Sequence, residues 1–248
     1  MTSTPGKTRQ TTQRNTNPSR PLRFALPKGR LQERTLKALR TAGIDIPEEI
    51  THTRKLSLDV SAYTQDALAC GMELLLIKNS DVPVYVEHGI ADIGIAGTDS
   101  LYEADVRVYR PFTFPFGSCT IAIAGPADAN YTELTQQPVL KVATKFQRFA
   151  RDHFASQGIA AEIIPLSGSV ELAPVLGLAD VILDLVETGK TLREHHLQIL
   201  QPLGRTYVKL IANATLSHTR SAHVERLVQL FAQTQPTPTF DAPLRTMP

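Results

Sequence analysis

The sequence predicts an α/β protein of two similarly built lobes with a cleft between them. Three observations lead there. Short apolar runs alternate with helix-like stretches along most of the chain, the order found in α/β folds with largely parallel sheets. Several of the runs have a continuously apolar centre, such as the LLLI of "MELLLIK" (72–78) and the VIL of "ADVILDL" (179–185), which marks strands buried on both faces. Finally, "HGIADIGIAGTDSL" (88–101) is echoed by "LGLADVILDLVETGKTL" (176–192). Each reads as helix end, Gly-x-Ala-Asp, apolar strand, then Thr near a helix start.

The elements follow in order. "LRFALP" (22–27) reads as a buried strand and Lys28-Gly29-Arg30 as a turn. A helix over 31–42 carries Leu31, Leu36 and Leu39 toward one face and ends at Gly43. "KLSLDV" (55–60) alternates as a strand does, and 72–78 is a buried strand. A helix within 79–89 opens on polar N-cap candidates with an early Pro and stops at Gly89. Residues 91–97 form the next strand. "CTIAIAG" (119–125) and "KVATK" (141–145) are strands, and "FQRFARDHFASQG" (146–158) is an amphipathic helix ending in Gly. "AEIIPL" (161–166) is a strand, 168–177 a helix and 179–185 a strand. "TYVKLIAN" (206–213) is a late strand, 218–233 a last helix, and the chain after Gln235 is a loose tail rich in Pro and Thr.

Composition narrows the function. The chain of 248 residues is 42% hydrophobic and 20% charged, ordinary for a globular protein. Its formal charge is +2, yet Lys7, Arg9, Arg14 and Arg20 stand in the first twenty residues without an acid, so the rest lies near −2. No global basic bias favours nucleic acid. No apolar run reaches the ~18–20 residues of a membrane span. The first residues lack the apolar core of a secretory signal and read as a disordered tail. Cys70 and Cys119 are too few for a disulfide framework and read as two reduced thiols in a cytoplasmic protein.

The "ETGKT" at 187–191 looks at first like a nucleoside-triphosphate loop. That loop needs Gly-x-x-x-x-Gly-Lys-Ser/Thr, and position 184, where the first glycine belongs, is Asp184. What remains has its own chemistry. Gly189 permits close backbone approach, Thr188 and Thr191 offer hydroxyls, Lys190 adds a charge, and N–H groups opening a helix attract phosphate. Asp184 is placed to accept hydrogen bonds from sugar hydroxyls. The plain alternative is a strand–turn–helix with Thr as N-cap. The aspartate on a buried strand favours a phosphorylated sugar.

Five segments then occur in a telling order: "ALPKGRL" (25–31), "RKL" (54–56), "DVPVYVEHGIADIGIAGTD" (81–99), "VATKF" (142–146) and "GSVELAPVLGLADVILDLVETGKTL" (168–192). Together they closely resemble the ATP phosphoribosyltransferase family, which opens histidine biosynthesis. The resemblance spans about Leu22 to Asn213. It implies a two-lobed, type II periplasmic-binding-protein-like fold: 1–21 a tail, 22–112 plus 201–234 the first lobe, 113–200 the second, and 235–248 a tail. It implies a pentosyl transfer in which N1 of ATP attacks C1 of phosphoribosyl pyrophosphate (PRPP), releasing pyrophosphate with Mg²⁺. The metal would be held by substrate phosphates and not by assigned protein ligands. Other readings of such a fold are a non-catalytic solute-binding protein, which would need export, and a degenerate regulatory subunit.

The attacking nitrogen has no proton to lose, so the reaction needs alignment and charge stabilisation. The resemblance implies that Glu187, Thr188, Gly189, Lys190 and Thr191 hold the 5′-phosphate and Asp184 the ribose hydroxyls. Lys28, Gly29, Arg30, Arg54, Lys55 and Lys78 would stabilise pyrophosphate or ATP, and Thr98, Asp99 and Glu171 would touch the nucleotide. Lys78 stands where the family usually holds arginine, keeping the charge and losing the bidentate fork. "LREHH" (192–196) departs from the family's usual Asn-Gly. His195 and His196 point different ways on a helix and read as a surface helix end. Asp92 and Asp180, matched in the two echoes, read as turn residues. Long members of the family carry a histidine-binding C-terminal domain, and the 35 residues beyond Asn213 are too few for one. The short form is therefore expected: a homodimer alone, and a hetero-octamer with a regulatory subunit resembling histidyl-tRNA synthetase.

Overall fold

A computed structural model describes residues 20–47, 49 and 54–236. β1 (Leu22–Pro27) leads to α1 (Arg30–Thr41), β2 (Ser57–Asp59), α2 (Ser61–Leu68), β3 (Met72–Ile77), α3 (Val82–Glu87), β4 (Ile93–Gly97), α4 (Thr98–Ala104) and β5 (Val108–Thr113). There follow β6 (Cys119–Pro126), α5 (Tyr131–Leu134), β7 (Leu140–Thr144), α6 (Gln147–Ser156), β8 (Ala161–Pro165), α7 (Leu172–Val175), β9 (Val181–Val186), α8 (Lys190–Glu194) and β10 (Leu197–Thr206). β11 (Val208–Asn213) and α9 (His218–Thr234) come last.

Two sheets result, ordered β2-β3-β1-β4-β11-β5 and β10-β6-β9-β7-β8. β1 runs parallel to β3 and β4, and β7 parallel to β8 and β9. Each sheet is covered on both faces, which is why its central strands carry unbroken apolar runs. Phe24, Leu26, Leu74, Ile93 and Leu210 pack beneath α1 and α9 with Leu36, Leu39, Leu227 and Phe231. The opposite face holds Ala25 and Ile211 against Val82, Val86 and Leu101. In the second sheet Ile121, Ile123, Val142 and Leu183 meet Phe146, Ala150 and Phe154. Each buried Val, Leu, Ile or Phe among them stabilises by roughly 1.5–3 kcal/mol relative to exposure.

The echoed aspartates perform one task twice. Asp92 Oδ2 accepts from the Arg23 N–H at 2.8 Å, and the Asp92 N–H donates to the Arg23 carbonyl at 2.9 Å. Asp180 does the same with Lys141, at 2.8 and 2.9 Å. Each carboxylate thus pins the start of its strand to the neighbouring parallel strand. Asp92 is also buried among guanidinium groups, with Arg220 at 2.7 Å and Arg20 at 2.8 Å. Arg20 is therefore tied to the first lobe, and the expected tail over 1–21 is shorter than the sequence implied; residues 1–19 and 237–248 lie outside the described ones.

The chain passes between the sheets twice, through 114–118 and through Tyr207. The expected crossing after residue 200 falls inside β10, which instead pairs with β6 from Leu197 to Thr206. β5 and β10 had no counterpart in the sequence reading. Both are edge strands carrying a proline, Pro111 and Pro202, and an edge tolerates the missing N–H that blurs the strand pattern. α2 and α5 also went unread, and the helix expected over 168–177 shrinks to the single turn of α7.

Candidate active site

The carboxyl edge of the first sheet gathers the expected cations. Ser57 pairs with Leu75 and Asp59 with Glu73, and Leu56 accepts from the Leu76 N–H at 2.8 Å. Arg54 and Lys55 lie just before β2 at that edge. On the other side of β3, Pro27 pairs with Ile77 and the Lys28 N–H donates to the Ile77 carbonyl at 2.9 Å. Lys28 and Lys78 thus follow the ends of two neighbouring strands, β1 and β3. Gly29, with φ 88, opens α1 without a side-chain cap, so the first N–H groups of that helix remain open to an anion.

The second sheet offers a matching edge. Lys145 follows β7 and its ammonium lies 3.0 Å from Asp184 Oδ1 on β9. β9 then runs into the loop from Glu187 to Thr191. Gly189 takes the left-handed conformation, φ 69 and ψ 9, and serves as N-cap of α8. Thr188 Oγ1 accepts weakly from the Lys190 N–H at 3.4 Å, and the cap position that the plain alternative gave to threonine is held by Gly189. The Thr188 carbonyl accepts from Arg193 Nη1 at 3.2 Å, which steadies the loop from behind.

Direct contacts bring the two edges together. Arg30 and Arg34 on α1 reach Glu187 at 3.1 and 3.0 Å. On another side of the interface Glu103 of α4 accepts from the N–H groups of Arg148 and Phe149 at 3.1 and 2.8 Å, capping α6, which has no side-chain cap of its own. Tyr102 donates to Asp152 at 2.6 Å. Between the lobes lies a cavity of about 770 Å³ whose lining includes Lys78, Asn79, Asp99, Lys145, Ser167 and Leu185. A second, of about 690 Å³, borders Glu187, Thr188, Gly189 and Arg193. Burial pushes the Asp99 carboxyl above its ordinary range, against the pull of its own N–H, the Ser100 hydroxyl and Lys145. Burial likewise raises the Cys119 thiol, with the charges of Glu187 and Asp99 adding to it. Cys70 and Cys119 are both free.

Comparison with known proteins fits this geometry. A family model described as ATP phosphoribosyltransferase matches residues 78–233. The ATP phosphoribosyltransferase of Sorangium cellulosum is 41% identical over 211 residues, covering 85% of this chain and 94% of its own. That of Geobacillus kaustophilus is 41% identical over 217 residues, covering 88% and 100%. The chain belongs to the ATP phosphoribosyltransferase family. Its reaction is the transfer of the phosphoribosyl group of PRPP to ATP, the first step of histidine biosynthesis. The relatives just named are themselves short chains matched nearly end to end, and this is a short-form catalytic chain like them. Among solved structures, a chain of the ATP phosphoribosyl transferase (HisG:HisZ) complex from Thermotoga maritima is 31% identical with a TM-score of 0.72, covering 86% of this chain and 98% of that one. The periplasmic aliphatic sulphonate binding protein SsuA of Escherichia coli shares the fold at 12% identity and a TM-score of 0.56, covering 86% and 72%.

The phosphoribosyltransferase fold distributes the expected site residues unevenly. Lys78 and Asp99 line the interlobe cavity, and Glu187, Thr188 and Gly189 the second one. Lys190 and Thr191 follow at the exposed start of α8. Thr98 stands at the crossing instead: its N–H donates to the Tyr207 carbonyl at 2.9 Å and its hydroxyl accepts from the Tyr207 N–H at 3.1 Å. Glu171 is the N-cap of α7 and makes no capping bond; it lines neither of these two cavities. His195 and His196 end α8, and no group of three or more metal-ligating side chains occurs among the described residues. Sequence reasoning missed Lys145, Arg34 and Glu103. Lys145 had a signal, because "ATKF" ends its strand as "LPKG" ends β1. Arg34 and Glu103 had none, since only the meeting of two lobes gives them partners.

Proposed function

We propose that the transfer takes place between the two carboxyl edges, with the loop from Glu187 to Thr191 holding the 5′-phosphate of PRPP and Asp184 its ribose hydroxyls. Lys28, Gly29, Arg30, Arg54, Lys55 and Lys78 flank the leaving pyrophosphate, and Asp99 borders the nucleotide. The observation that carries this reading is the contact of Arg30 and Arg34 with Glu187, which sets the first turn of α1 against the phosphate loop. A single molecule of PRPP spans these two segments, its 5′-phosphate at one and its pyrophosphate at the other. C1 gains cationic character as pyrophosphate gains negative charge, so fixed cations act chiefly in the transition state. N1 of ATP carries no proton, so these residues align and stabilise and need not act as a base.

The donor set suits Mg²⁺ carried in on phosphate oxygens. Magnesium keeps several waters and takes one or two carboxylates at such sites, the rest of its shell coming from substrate phosphates. Bound to pyrophosphate, the ion would neutralise part of the growing charge. The use of ATP and PRPP as substrates supports a cytoplasmic location.

The likeness to a chain of the HisG:HisZ complex supports a separate partner subunit; its histidyl-tRNA-synthetase-like kind, a hetero-octamer with it and a homodimer of this chain alone are what the family resemblance implies. Purified chain given ATP, PRPP and Mg²⁺ should form phosphoribosyl-ATP with little inhibition by histidine. Inhibition should appear once the partner is added. Strong histidine inhibition of the isolated chain, with its mass in solution measured in parallel, would refute the division of labour.

A further inference from the structure

The position of Lys145 is set by the strands beneath it. Thr144 is fully buried; its hydroxyl donates to the Leu183 carbonyl at 2.6 Å and accepts from the Phe146 N–H at 2.9 Å. These bonds lock the β7–α6 turn against β9 one residue before Asp184, where the parallel register already pairs Thr144 with Leu183. The Lys145 ammonium then meets Asp184 Oδ1 at 3.0 Å and stands 5.0 Å from the centre of the Phe146 ring. Asp184 Oδ1 accepts a second hydrogen bond, 2.8 Å long, from the Leu185 N–H. One carboxylate oxygen is thus held from two directions. No described residue donates to the other, Oδ2, and the side chain is 22% exposed.

A carboxylate anchored by one oxygen presents the other in a fixed direction. That is what a pair of vicinal sugar hydroxyls needs from an acceptor, because both donors must be met at once. We propose that Lys145 is a positioning residue for the ribose of PRPP, acting through Asp184. The inference rests on the reading of Asp184 as the ribose acceptor. Without the ammonium, Asp184 keeps only the bond from its neighbour and turns more freely about its side-chain torsions. The rival role is direct: Lys145 lines the interlobe cavity together with Lys78, where its ammonium would touch a phosphate itself.

A double-mutant cycle separates the two roles. Lys145→Met keeps the length of the side chain and removes its charge; at 42% exposure the side chain is not part of the core, and thermal melts of every variant verify folding. Lys145→Met should raise KM for PRPP about tenfold, the order of one lost charge-assisted hydrogen bond. KM for ATP should stay at the wild-type value, and Lys145→Arg should restore most of the loss. In an Asp184→Asn background, Lys145→Met should add nothing further. A wild-type KM for PRPP in Lys145→Met, or an undiminished effect of that change in the Asp184→Asn background, overturns the positioning role while leaving Asp184 on the ribose. If Asp184→Asn itself binds PRPP as the wild type does, the ribose reading falls and the role of Lys145 with it.

Discussion

Replacing Gly189 by alanine tests the phosphate loop with a built-in control. Gly189 sits at φ +69, where a side chain costs about 1–2 kcal/mol. A Cβ there would lie 3.2 Å from Arg193 Nη1 and 3.7 Å from Val186 Cγ1. The first is the far end of a flexible side chain and yields by a few tenths of an ångström, so the folding cost stays near the backbone strain alone. Gly158 ends α6 at φ +68, and a Cβ there would meet nothing within 4 Å. Gly158→Ala therefore carries the same strain away from the loop. Both variants should melt roughly 2–8 °C lower than the wild type, given about 2–4 °C per kcal/mol for a chain of this size. Only Gly189→Ala should lose PRPP. If the loop cradles the phosphate as proposed, a methyl group there would hinder its approach to the N–H groups at the start of α8. One lost charge-assisted hydrogen bond is worth about 1.5–3 kcal/mol, or roughly a 10- to 150-fold weaker Kd. Calorimetric titration of both variants with PRPP reads the difference. Equal PRPP affinity in Gly189→Ala and Gly158→Ala would refute the loop as the phosphate cradle.

Two further outcomes are expected. Lys78→Ala should lower kcat more than it weakens ATP binding, because charge builds on pyrophosphate in the transition state, and Lys78→Arg should be tolerated; unchanged steady-state kinetics in Lys78→Ala would place this residue outside the site. Asp99 has a folded-state pKa raised chiefly by burial, so its contribution to stability is present below the ordinary aspartate pKa and is lost as pH rises through the folded value. Asp99→Asn should therefore gain stability over the wild type at pH 7 and lose that advantage toward pH 3, as read by urea melts across the range. A wild type that gains on the variant as pH rises would contradict the assignment.

The sequence alone settled the α/β class, the two echoed lobes and the family. Those conclusions rest on local signals: apolar runs such as 74–77, glycines that end helices, and an aspartate–loop segment with specific spacing. It also yields the proposed phosphate loop, because Asp184 and Gly189 lie five residues apart on one strand–turn–helix unit. It misread what depends on sheet position. β5 and β10 escaped because edge strands tolerate proline and mixed burial, and the lobe boundary moved with β10. The duty of Asp92 and Asp180 was seen as a turn, while the folded chain shows each binding the neighbouring strand through its backbone. Tertiary structure alone decided that Arg30 and Arg34 face Glu187, that Glu103 caps a helix of the other lobe, and that Thr98 is held at the crossing. Arg34 and Glu187 are 153 residues apart in the chain, and no periodicity encodes a contact of that span. It exists because two separately folded sheets present their carboxyl edges to each other, and charges left at those edges find partners only across the gap.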